Sequence, residues 1–192
     1  MKGADLIYIT FAFVALATVL SYAVEQYRAK NDTSHIIPVI IPVLYFCLSL
    51  YRNGVCMAAL KDYLWALLLV YASMKDLEKR EVEDAISVML LLVALIDNTL
   101  PGMLSALPGM LIIFIPQLIV AAINPGKYGG ADIKISTSAV AACSFAAGVT
   151  GVCTGLAIGV IIQLVMRKKG KTGYPLVPYM AAGLLVATAV IV

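Results

Sequence analysis

Two aspartates, Asp76 and Asp132, are the residues of this chain best suited to chemistry. Asp76 follows the apolar stretch that begins near Val55. Asp132 follows the glycine-containing stretch Asn124-Pro125-Gly126-Lys127-Tyr128-Gly129-Gly130-Ala131. Two carboxylates held close together cannot both ionise, so one stays an acid while the other serves as a base. Such a pair can activate water for attack on a peptide carbonyl, and Gly129 and Gly130 would let a peptide backbone come close. Each aspartate alone also has a structural reading. Asp76 stands in the mixed-charge run Lys75-Asp76-Leu77-Glu78-Lys79-Arg80-Glu81-Val82-Glu83-Asp84, which a solvated loop would carry equally well. Asp132, at a helix start, would serve as an N-cap. Helix polarity expects the shared proton on Asp76, at a helix C-terminus, and the charge on Asp132, at an N-terminus.

The elements that must position these residues belong to a membrane. Of 192 residues, 62% are apolar and 13% charged, with a mean hydropathy of +0.97, whereas soluble domains average roughly 45–50% and 25%. The net charge of +3 is small and scattered, so no nucleic-acid partner is expected. A single His argues against a His-built metal site. Cys47, Cys56, Cys143 and Cys153 lie in apolar stretches with no Cys-x-x-Cys pair, so neither a zinc knuckle nor a disulfide framework is expected. No metal and no cofactor is expected.

A spanning helix needs about 20 apolar residues. Spans are expected over about 6–24, 36–51, 55–74, 85–96 and 103–123, with Pro108 and Pro116 loosening the fifth. The uncharged stretch Ile135 to Met166 is expected to turn at Gly148-Val149-Thr150-Gly151, giving two helices, and a last span covers about 176–192. Lys and Arg in short loops mark the cytoplasmic side. The loops with Arg28 and Lys30, with Lys75, Lys79 and Arg80, with Lys127 and Lys134, and with Arg167 to Lys171 all face the cytoplasm only if that turn exists. The expectation is therefore an all-α membrane bundle of about eight helices with both termini outside. It forms a single domain over 1–192, with two N-terminal spans in 1–54. Lys61 and Asp62 are expected to snorkel or pair locally, and Asp97 to be interfacial. Gly151, Gly155 and Gly159 form a small-residue face for helix packing, either within the chain or between copies of a homo-oligomer.

Three pieces of the sequence resemble type IV prepilin peptidases, bacterial membrane aspartic proteases of the Gly-x-Gly-Asp type. Lys127-Tyr128-Gly129-Gly130-Ala131-Asp132-Ile133-Lys134 is similar to their second aspartate motif. The run from Asp76 to Asp84 is similar to the first, in which an Arg and an Asp or Asn follow the aspartate. Lys169 to Gly183 resembles the basic loop and last helix. The resemblance covers about residues 55–192. It implies removal of the short basic leader from type IV prepilins or pseudopilins at the cytoplasmic face of the inner membrane. Asp76 and Asp132 would be catalytic, and Gly129, Gly130, Lys134 and Arg80 would be motif residues that support the site or bind substrate.

Three departures refine what the resemblance implies. Ala131 stands at the second Gly of the strict motif, and Glu83 stands where many members have Pro. The four-Cys zinc segment of the larger, N-methylating members is not expected, so a peptidase without methylation is. Two rivals stand beside this reading. A small transporter could use the same carboxylates, but such sites usually sit near the bilayer midplane. A catalytically inactive pilus-assembly subunit could keep the same fold.

Overall fold

A computed structural model describes residues 37–96, 100–123, 129–166 and 175–191. The expected first span, Arg28 and Lys30, Asp97, residues 125–128 and the basic cluster at 167–173 lie outside them. The described residues form seven helices and no strand: α1 (Ile37–Asn53), α2 (Met57–Lys79), α3 (Asp84–Ala94), α4 (Leu100–Ile123), α5 (Gly130–Val140), α6 (Phe145–Met166) and α7 (Val177–Ile191). Among them, Met57–Lys79, Leu104–Ile123 and Phe145–Ile162 are long and apolar enough to cross a membrane. The chain is a helical membrane protein. By contrast, α3 and α5 have 11 residues each. At 1.5 Å per residue they rise only about half of a bilayer core.

The chain divides into two compact units, Met1–Tyr71 and Ala72–Val192. In the first, Phe46, Ala59, Tyr63 and Leu67 form a buried cluster, and the rings of Phe46 and Tyr63 meet edge-on at 5.4 Å. Asp62 accepts a hydrogen bond from Ser49 Oγ of α1 at 2.6 Å. Helix α1 stops at Gly54, whose φ of 71° and N–H bond to the Leu50 carbonyl (2.9 Å) make a left-handed C-cap.

The second unit holds the site. Helices α6 and α7 are its most intimate pair, because glycines bring their backbones together. A Cβ on Gly151 would lie 2.7 Å from Leu184 Cα. One on Gly155 would meet the backbone of Tyr179 and Met180, and one on Gly183 would meet the backbone of Gly151 and Gly155. The expected small-residue face is therefore a seam inside the chain. Gly159 faces the same helix, with a Cβ there 3.2 Å from the Tyr179 ring.

The break between Ile135 and Met166 also moves. It falls at Ala141–Ser144 and not at Gly148–Gly151, which is helical. Ser144 starts α6 by accepting the Ala147 N–H on its Oγ at 3.4 Å. Gly148 is small because a Cβ there would come 2.8 Å from Val140 Cγ1. These glycines answer a packing demand and not a turn. Helix α4 runs unbroken through Pro108 and Pro116. It exposes Leu111, Ile112, Ile115, Ile119 and Ile123, as expected of a surface in contact with lipid.

Candidate active site

Helix α2 does not end before Asp76 but carries it within its last turns, as far as Lys79. Asp76 is only 7% exposed and its neighbour Lys75 only 6%, so neither belongs to a solvated loop despite the charged run around them. Asp76 Oδ2 accepts the backbone N–H of Val177, the first residue of α7, at 3.1 Å. A charged carboxylate is well placed at the unpaired N–H groups of a helix start.

Asp132 lies in the first turn of α5 and is 9% exposed. It is not the N-cap. That position belongs to Gly129, which makes no side-chain capping bond, and the Asp132 N–H reaches the Gly129 carbonyl at 3.2 Å. From the third position of the helix, the Asp132 carboxylate in turn accepts the Gly129 backbone N–H, as the N3 side chain of a capping box does. Its placement requires Gly129, where a Cβ would lie 2.7 Å from Asp132 Oδ2. Among the described residues, none comes within 4 Å of where a Cβ on Gly130 would lie.

The two carboxylates share the second unit and lie within electrostatic reach of each other. Each meets a helix N-terminus, Asp132 its own and Asp76 that of α7. The end of α7 thus acts against the C-terminal position of Asp76 in α2, from which the sequence assigns it the shared proton.

Arg80 follows α2 with a φ of 56°, the one non-glycine residue with positive φ among those described. Its N–H bonds the Asp76 carbonyl at 3.0 Å, repeating at α2 the cap that Gly54 makes at α1. Its positive charge acts on Asp76. Lys134 points elsewhere, with its Nζ 2.8 Å from both carboxylate oxygens of Asp84. Asp76, Asp132, Gly129 and Arg80 are thus grouped, Gly130 borders open space among the described residues, and Lys134 binds across to α3.

Sequence reasoning missed three supports. The burial of Lys75 carries no sequence signal. The Val177 N–H is a backbone group that no motif names. Ser136, one turn beyond Asp132, donates to Gln117 Oε1 at 3.1 Å and anchors α5 to α4; a lone Gln in the apolar half of α4 was the available signal. Among the described residues, no three His, Cys, Asp or Glu side chains gather as metal ligands would.

Residues 63–167 match the model of the type IV leader peptidase family. The matched stretch contains Asp76, Arg80, Asp84, the Gly129-Gly130 pair, Asp132 and Lys134. No curated protein and no solved structure matches the chain.

Proposed function

The chain belongs to the type IV leader peptidase family, a family of proteases, and from that premise we propose that it is a membrane aspartic endopeptidase acting on type IV prepilins or pseudopilins. The observation that carries this reading is the burial of Asp76 and Asp132 in one unit, within electrostatic reach of each other, with open space among the described residues beside Gly130. One carboxylate takes a proton from water as the water oxygen attacks the scissile carbonyl, while its protonated partner hydrogen-bonds the carbonyl oxygen. The new amine leaves with a proton returned from the pair. Gly129 keeps Asp132 in place, and Gly130 leaves room for the extended substrate backbone. No cofactor enters this scheme, and N-methylation of the product is not part of it.

We place the protein in the inner membrane with eight spans, both termini outside and the two aspartates at the cytoplasmic face. The basic loops support this arrangement by the positive-inside preference. The sixth turn of this arrangement falls at Ala141–Ser144. Cysteines introduced at the exposed positions Glu78 and Asp84 should react with membrane-impermeant reagents only from the cytoplasmic side.

The activity is tested by co-expression with a prepilin from the same cell, following the mobility shift that accompanies loss of the leader. A shift dependent on this chain is expected. Unprocessed prepilin throughout would overturn the reading.

A further inference from the structure

Asp84 and Lys134 are 50 residues apart in the chain, yet Lys134 Nζ lies 2.8 Å from each Asp84 carboxylate oxygen. Asp84 opens α3, directly after the N-cap Glu83, and closes the charged segment that leads away from Asp76. Lys134 stands two residues beyond Asp132 in α5. At that spacing two side chains leave a helix on nearly opposite faces, and Asp132 is buried while Lys134 is exposed. Helices α3 and α5 pack against each other. The pair therefore joins the end of the Asp76 segment to the turn that holds Asp132.

Stability does not account for this contact. The two side chains are 53% and 73% exposed, and ion pairs in water contribute little to folding. Both helices already bury apolar side chains, Ile86 and Leu90 in α3 and Ile133 and Ile135 in α5. Lys134 lies early in α5, at the end of a helix that disfavours a cation, whereas Asp84 sits where a carboxylate is favoured. The lysine is misplaced for its own helix and well placed for its partner. What the contact supplies is a fixed distance.

We infer that the Asp84–Lys134 ion pair is a positioning clasp that holds the Asp132 turn in register with the segment leading from Asp76. The inference rests on the peptidase reading above. Neither residue touches the reacting atoms; both act by placement, and small misplacements of reacting groups are costly to rate.

The test uses the full chain in membranes with a prepilin bearing a basic leader. Lys134→Ala and Asp84→Ala should each lower kcat by about tenfold or more, with KM, thermal stability and membrane accumulation nearly unchanged. Lys134→Arg should stay active. Exchanging the charges, Asp84→Lys together with Lys134→Asp, preserves net charge and should bring kcat back to within a few-fold of wild type. Wild-type rates in both single variants, or an exchanged chain no better than either, would overturn the clasp while leaving the peptidase reading intact. So would losses that merely follow reduced accumulation. A wild-type chain that cleaves no prepilin would overturn the peptidase reading itself.

Discussion

The backbone N–H of Val177 donates to Asp76 Oδ2 at 3.1 Å, tying the start of α7 to a carboxylate 101 residues earlier. The bond gives Asp76 a helix N-terminus that its own helix does not offer. Proline removes the N–H and is well accepted at the first helical position. Val177→Pro should therefore lower cleavage by about tenfold or more, the scale of a hydrogen bond to a charged group. Val177→Ala keeps the donor and trims a buried side chain, so it should cost stability and leave the rate per folded molecule near wild type. Rates compared at matched accumulation check the pair, and equal rates in the two variants would remove the role of the bond.

The two motif glycines should separate. Gly129→Ala puts a Cβ 2.7 Å from Asp132 Oδ2 and must move that carboxylate, so cleavage should fall about a hundredfold or more. Gly130→Ala meets nothing within 4 Å among the described residues. Its thermal stability should equal that of wild type, and any loss should fall on KM, where a substrate backbone would meet the new methyl. Steady-state kinetics beside a melting curve decide the matter.

Arg80 occupies a backbone conformation that glycine adopts freely and other residues at a cost of about 1 kcal/mol. Arg80→Gly should hold or raise stability by about that amount. Cleavage should nevertheless fall, because the positive charge near Asp76 is lost. A variant that is both less stable and fully active would contradict this.

Gly183→Ala tests the α6–α7 seam. The added methyl would press into the backbone of Gly151 and Gly155. Backbone cannot yield as a flexible side chain can, so a loss of about 1–3 kcal/mol is expected, the usual range for overpacking. Thermal melting of the detergent-solubilised protein should show a lower midpoint.

Much of this was legible in the sequence, and the failures share a cause. The end of α1 at Gly54 and the glycines before Asp132 follow from local chemistry, and local chemistry is what sequence displays. Gly148 and Gly151 read as a turn because glycine permits turns. In the fold they are small because Val140 and Leu184 pass close by, and nothing in their own neighbourhood announces that. Asp132 looked like a cap because it is polar at a helix start, yet Gly129 takes that place. Lys75 and Asp76 looked solvated because their neighbours are charged. Their burial comes from tertiary packing, of which the Val177 contact is one part. The Asp84–Lys134 pair spans 50 residues, and no local pattern encodes it.

The central claim is that Asp76 and Asp132 together activate water, and it is tested most directly by the rate of prepilin leader cleavage in Asp76→Asn and Asp132→Asn, each at wild-type accumulation in the membrane. Each amide removes one half of the acid–base pair while keeping nearly the same shape. The account predicts no detectable cleavage by either variant and substantial cleavage by Asp62→Asn, whose carboxylate is engaged with Ser49 in the first unit. Wild-type cleavage by either Asp76→Asn or Asp132→Asn would contradict it.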